Sequence, residues 1–159
     1  MTNYLRSGLF IFALVAGLFA CGGSDDQPDF KTPEQIAVEN LAGDGSITWT
    51  VAGDGSVTKD GDNHTDTFRD FTILFNAANQ SRTYSTANHN GIFDLSGNWS
   101  VTGNNLDKVV LTGDQPAAGR EIQYTRNGEQ LTLVFTISPP EARTTAVAGN
   151  YVFDLRRAE

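Results

Sequence analysis

Cysteine is almost absent from this sequence: Cys21 is the single thiol among 159 residues, so no disulfide can form within one chain. Histidine is nearly as scarce, and His64 and His89 stand in separate polar segments with no Cys or further His at ligand spacing. Cations are few as well, 11 Lys and Arg against 19 Asp and Glu, and they form no cluster. These absences argue against a zinc motif and against nucleic acid as a partner. Stability must therefore come from a hydrophobic core.

The sequence has little that would support catalysis or metal binding. A catalytic nucleophile needs a base in reach and a group that orients the base, and we find no such set, so we expect no enzyme activity and no catalytic residue. Asp60, Asp62 and His64 alternate in one loop, but an EF-hand would need glycine at its sixth position and a carboxylate at its twelfth. Thr65 and Phe71 occupy those positions. We expect no cofactor and no resident metal; a looser calcium site and a solvated turn are the alternatives for this loop.

Long hydrophobic runs are also missing, except near the N-terminus. Arg6 is followed by an uncharged stretch over residues 8–20, which ends in Leu-Phe-Ala before Cys21 and Gly22. The stretch is shorter than the roughly 20 residues that a transmembrane helix needs, and its pattern is typical of a signal peptide over residues 1–20. The Leu-Phe-Ala-Cys-Gly sequence resembles a lipobox, the recognition sequence of bacterial signal peptidase II. The resemblance implies that Cys21 is the lipid-attachment residue; the alternative is an ordinary secretory signal followed by a chance cysteine.

Residues 21–31 read as a flexible, lipidated tether. Glycines, Asp25, Asp26 and Pro28 follow the cysteine, and such a composition buries too little apolar surface to order itself. The acidic residues resemble the export signal that carries some Gram-negative lipoproteins to the outer leaflet, while a plain solvated linker is the alternative. We therefore expect a protein attached through its N-terminal lipid to the outer membrane and facing the cell exterior.

The remaining residues, 32–159, have the length of one domain, and it begins with a short helix. Thr32 is a good N-cap, Pro33 fits the first helical position, and Gln35 completes the spacing of a capping box. Gly43 is expected to end the helix. The apolar side would be formed by Ile36, Val38 and Leu41.

From Ser46 onward the hydrophobic pattern has a period of two, which is typical of half-buried antiparallel strands. Eight main strands are predicted near residues 46–52, 68–76, 81–86, 97–103, 107–112, 120–126, 130–137 and 149–156, with an extra ribbon around 57–59. Asp54-Gly55, Asp60-Gly61 and Asn127-Gly128 are dipeptides that favour tight hairpin turns. The sequence therefore predicts an all-β antiparallel meander that closes into a barrel or folds over as a β-sandwich.

Several blocks in this region resemble a known family. They are Val-Thr-Lys-Asp-Gly at 57–61, Phe-Thr-Ile-Leu-Phe at 71–75, Thr-Tyr-Ser-Thr at 83–86 and Ser-Gly-Asn-Trp-Ser at 96–100. Their order, together with the short N-terminal helix, is similar to that of the small lipocalin-like lipoproteins of Gram-negative bacteria. The resemblance covers most of residues 46–137 and implies a lipocalin-like barrel.

The bulky face of the predicted strands determines which kind of binding we expect. It contains Trp49, Val51, Phe71, Ile73, Phe75, Tyr84, Trp99, Val101, Val109, Leu111, Ile122, Tyr124, Leu131, Leu133, Phe135, Ile137, Tyr151, Phe153 and Leu155. So many large side chains should fill an eight-strand barrel. A binding or interaction module that uses its loops is therefore expected, and the alternative is a lipocalin-like carrier of a small apolar ligand.

Two long links, Ala87 to Ser96 and Ser138 to Gly149, are the places where a binding surface is expected, because binding residues concentrate on loops held by a rigid scaffold. The candidate residues are His89, Asn90 and Phe93 in the first link and Arg143 in the second. An exposed Phe93 would suit glycan stacking or protein contact; alternatively it packs beneath its loop. The expected partner is an unidentified protein or glycan.

Overall fold

A computed structural model describes residues 30–139 and 145–159. Its one α-helix is α1 (Pro33–Ala42). The strands are β1 (Ser46–Thr50), β2 (Ser56–Lys59), β3 (Asp62–Asn63), β4 (Thr72–Asn76), β5 (Thr83–Ala87), β6 (Ser96–Thr102), β7 (Lys108–Leu111), β8 (Ile122–Asn127), β9 (Gln130–Ile137) and β10 (Gly149–Arg157). The predicted signal peptide, most of the predicted tether, Cys21 and Arg143 lie outside the described residues.

The helix begins and ends at the predicted residues. The Thr32 hydroxyl accepts a hydrogen bond from the backbone N–H of Gln35, whose side chain in turn accepts one from the backbone N–H of Thr32. Gly43 follows the helix with φ +60°. The predicted apolar side is partly wrong, because Ile36 is 49% exposed and the buried side chains are Ala37, Leu41 and Ala42. The helix packs on the barrel through these three residues, and Ile36 lies outside the face that they form.

The strands form one antiparallel sheet that closes into a barrel of eight strands. The order is β1-β4-β5-β6-β7-β8-β9-β10, and β10 pairs back onto β1 through Trp49 opposite Arg157 and Thr50 opposite Arg156. Closure distinguishes a barrel from the β-sandwich alternative. An all-β, lipocalin-like barrel with one short helix is therefore the architecture of the described residues.

The predicted extra ribbon exists, and it belongs to β10. β2 pairs with the first half of β10, from Tyr151 opposite Lys59 to Asp154 opposite Ser56, while β1 pairs with its second half. The residues between β1 and β2, which include Asp54-Gly55, form a bulge along one side of β10. The prediction of a hairpin turn at Asp54-Gly55 is therefore wrong.

The predicted inward face is the core of the barrel. All of its members are buried except Val101, which is partly buried against the same cluster. The phenylalanine rings are packed in direct contact, with ring centroids of Phe71, Phe135 and Phe153 between 5.1 and 5.9 Å from a neighbour. Further buried side chains come from outside the main strands: Leu41, Phe68, Ile92, Phe93 and Ala117.

The barrel has two different ends, which we name by what closes them. At the helix end lie α1 and the links at 77–82, 103–107 and 128–129; Trp49 fixes the helix there by donating its indole N–H to Leu41 O at 2.9 Å. At the loop end lie the segment 51–71, the links 88–95 and 112–121, and residues 138–139 and 145–148. Both links predicted to carry binding residues therefore start and finish at the loop end.

Candidate binding surface at the loop end

The loop over residues 88–95 is held in place by its own asparagines. Asn88 and Asn90 have left-handed backbones, φ +53° and +49°, which asparagine tolerates better than most residues. The Asn88 amide donates to Asp70 O at 2.7 Å, and the Asn90 amide donates to Thr67 O at 2.6 Å. The loop is thus tied to the neighbouring segment that precedes β4.

Phe93 does not form part of an exposed surface. The side chain is 1% exposed, and its ring packs 5.3 Å from Phe71, 5.5 Å from Phe135 and 5.6 Å from Phe153. The expectation of an exposed Phe93 is therefore wrong, and the alternative, that Phe93 packs beneath its loop, is confirmed. The physical reason is that an open barrel end would leave the rings of the core in water, and Phe93 with Ile92 covers them.

His89 and Asn90 remain at the surface of this loop. Asn90 is exposed and His89 is half-buried. The backbone N–H of Gly91 donates to His89 Nδ1 at 3.2 Å, so His89 presents the other edge of its imidazole ring. Of the four predicted binding residues, the structure therefore brings His89 and Asn90 together on one loop, places Phe93 in the core, and leaves Arg143 outside the described residues.

Asp94 joins this loop to the next one, a role that the sequence analysis missed. Its carboxylate accepts hydrogen bonds from the backbone N–H groups of Asp114 at 3.0 Å and Gln115 at 2.9 Å. A Cβ at Gly113 would collide with this carboxylate. The sequence signal for this role is Gly113 directly before the two donor residues. It could be recognised only if the two loops were already known to be adjacent.

Burial and the nearby charge of Asp94 both raise the pKa of Tyr84. The Tyr84 hydroxyl donates to Thr112 O at 2.7 Å, and burial, with a smaller contribution from Asp94, raises the pKa of Tyr84 to about 12. Burial likewise raises the pKa of Tyr124 and of Tyr151, with smaller contributions from Asp107 and Asp60 respectively. These three are the tyrosines of the chain beyond the predicted signal peptide.

We therefore expect the phenols to resist ionisation while the barrel is folded. Tyrosines of an unfolded chain titrate near about pH 10, so the unfolded state releases these protons first and the free energy of unfolding falls as pH rises from about 10 towards about 12. In an alkaline titration, phenolate absorbance should appear together with the loss of β-sheet circular dichroism. Phenolate formation near pH 10 with an unchanged dichroism spectrum would contradict this expectation.

In the loop that carries Asp60, Asp62 and His64, the Asp60 carboxylate is occupied by a hydrogen bond within the fold. Asp60 and Gly61, with φ +53° and +90°, form the two-residue turn between β2 and β3, as predicted. The Asp60 carboxylate accepts the backbone N–H of Asn150 at 2.8 Å, and Asp62 is exposed. In residues 30–139 and 145–159, no three His, Cys, Asp or Glu side chains are grouped so that they could hold a metal ion.

A depression that was not anticipated from the sequence lies at the helix end. It has a volume of about 240 Å³ and opens between α1, the link 103–107 and β8, with Ile36, Leu106 and Tyr124 among its lining residues. The Tyr124 hydroxyl lies 2.7 Å from Leu106 O and 3.2 Å from Ala37 O. Arg126 donates to Glu39 O at 3.0 Å, which places a cation where a helix C-terminus favours one.

In the described part of the chain, no helix has the length and apolarity required to cross a bilayer. No protein-family model matches the chain, and neither a curated protein nor a solved structure does.

Proposed function

We propose that this chain is a lipid-anchored binding module, displayed on the outer membrane, which contacts a protein or glycan through the loops at the loop end of its barrel. The observation that carries the proposal is the packing of Phe93. Because its ring joins those of Phe71, Phe135 and Phe153 in the barrel interior, a ligand is better accommodated outside the barrel than inside it. The held loop that presents His89 and Asn90 supplies an ordered surface for such contact.

The closed eight-strand barrel is also compatible with the alternative, a carrier of a small apolar ligand. The two functions differ in where the ligand binds, so fluorescent probes resembling fatty acids or retinoids distinguish them. A carrier would bind such a probe saturably, at one site per chain and with micromolar affinity. A loop-binding module would give no saturable signal, and saturable binding would replace the module by the carrier.

The anchor rests on Cys21, and we expect the substitution Cys21→Ser to release the protein from membranes. Serine offers no thiol for the thioether bond to diacylglycerol, and two or three acyl chains are what make such attachment stable. Cell fractionation followed by detergent partition measures the effect, with Ser24→Ala in the tether as the matched control. A Cys21→Ser chain that still enters the detergent phase after signal cleavage would refute the anchor.

Display on the cell exterior rests on the acidic tether. We expect that changing Asp25 and Asp26 together to alanine retains the protein on the periplasmic side, because the export signal is then lost. Protease shaving of intact cells separates the two locations, and changing Gln27 to alanine serves as the control. Equal protease sensitivity of the wild type and the double variant would remove the proposed role of the tether.

A further inference from the structure

The chain enters the barrel at the helix end. α1 follows directly on the tether, and two contacts hold it across that end: the indole of Trp49 donates to Leu41 O, and the hydroxyl of Tyr124 approaches Ala37 O. Whatever the tether is attached to is therefore connected to the helix end and not to the loop end. The attachment point matters because the connection is short.

Nine residues, 22–30, lie between Cys21 and Lys31, so ten Cα–Cα steps join the two. A Gly-rich chain of that length has a root-mean-square span of about 17 Å and a fully extended span of about 35 Å. A bilayer that holds lipidated Cys21 is therefore within reach of the helix end.

The helix end has an apolar feature suited to such contact. Ile36 is 49% exposed on the outer side of α1 and borders the open depression of about 240 Å³, which Pro33 and Leu106 also line. A branched aliphatic side chain beside an open, partly apolar depression can enter the headgroup region of a bilayer without any change in the barrel.

The two ends of the barrel also differ in net charge. Within the described residues, the loop-end segments 51–71, 88–95 and 112–121 contain eight carboxylates and three cations: Asp54, Asp60, Asp62, Asp66, Asp70, Asp94, Asp114 and Glu121 against Lys59, Arg69 and Arg120. The helix-end segments 31–45, 77–82, 103–107, 126–129 and 156–159 contain six carboxylates and five cations: Glu34, Glu39, Asp44, Asp107, Glu129 and Glu159 with Lys31, Arg82, Arg126, Arg156 and Arg157. An anionic lipid surface therefore repels the loop end more strongly than the helix end.

We propose that the helix end lies against the lipid surface, with Ile36 in the headgroup region, so that the loop end points away from the membrane. The proposal rests on the lipid anchor of the proposed function. It names the bilayer as the partner of the helix end, and it fixes the direction in which His89 and Asn90 are presented.

The test uses the lipidated full-length chain reconstituted into vesicles of phosphatidylcholine and phosphatidylglycerol. A single cysteine introduced by Asn105→Cys at the helix end, or by Asp62→Cys at the loop end, takes an environment-sensitive fluorophore, since the Cys21 thiol is already bonded to lipid. Brominated lipids then quench whichever fluorophore touches the bilayer. We expect at least a threefold stronger quenching at residue 105 than at residue 62. Equal quenching at the two positions, or stronger quenching at residue 62, overturns the proposal.

A pair of matched variants tests the role of Ile36. Ile36→Asn should lower the quenching at residue 105 severalfold, whereas Leu95→Asn, which alters a 68% exposed leucine at the loop end, should leave it unchanged. Circular dichroism verifies that both variants fold. The mass of the mature chain separates the two proposals: a chain without lipid refutes the anchor and the orientation together, while a lipidated chain with equal quenching refutes the orientation alone.

Discussion

Replacing Trp49 with alanine should lower the free energy of unfolding by about 3 to 5 kcal/mol. Trp49 is completely buried, donates its indole N–H to Leu41 O, and has the Arg126 guanidinium 5.4 Å from its ring centre. It also sits on β1, the strand that closes the barrel against β10. The substitution therefore weakens the packing of the core and the attachment of α1 together.

Denaturant unfolding of the Cys21→Ser chain, followed by far-ultraviolet circular dichroism, measures this loss. Trp49→Phe is the graded comparison: it retains an aromatic ring but removes the donor to Leu41 O, so a smaller loss of about 1 to 2 kcal/mol is expected. A loss below about 1 kcal/mol for Trp49→Ala would show that the helix end does not depend on this side chain.

Replacing Phe93 with alanine should cost a similar amount, about 3 to 5 kcal/mol, although Phe93 belongs to a loop and not to a strand. Its ring is in contact with three other phenylalanine rings, and removing it leaves an apolar void at the loop end. Such dry voids bind small aromatic molecules. We therefore expect the Phe93→Ala chain, unlike the wild type, to be stabilised against unfolding by added benzene.

Leu95→Ala on the same loop is the matched control. Leu95 is exposed, so its truncation should change the free energy of unfolding by no more than about 0.5 kcal/mol. If Phe93→Ala lowered the free energy of unfolding as little as Leu95→Ala, Phe93 would not be part of the core. The loop-binding proposal would then lose its main support, which is the filled barrel interior.

The strands could be predicted because alternation depends on one face of each strand being buried, and this barrel buries one face throughout. Trp99 and Ser100, for example, are buried and exposed as the period of two requires. Turns were predicted less evenly. The Asp60-Gly61 turn is present, but in the hairpin between β8 and β9 Asn127 pairs with Gln130. The turn is therefore Gly128-Glu129, one residue later than expected, with the positive φ on Gly128 alone.

Features that depend on contacts between distant parts of the chain could not be read from local patterns. Phe93 lies in a polar link without periodicity, and its burial follows only from the need to close the loop end. Ile36 is apolar, yet it is exposed because α1 packs on the barrel through Ala37, Leu41 and Ala42. The Asp94 bridge to Asp114 and Gln115 requires two loops to be neighbours, and the topology of the barrel decides that.

The strand β10 has consequences for the order in which the molecule can be assembled. It pairs with β9 along one edge and with β2 and β1 along the other. The barrel therefore cannot close until Arg157, near the end of β10, is available to pair with Trp49 on β1. Contacts so distant in sequence are slow to form. Until β10 has been made, β1, β2 and β9 expose unpaired edges, which can pair with other chains. A chain that is truncated before residue 149 therefore aggregates or is degraded and does not form a smaller barrel. The stability of the protein in the cell depends on the synthesis of the whole of β10.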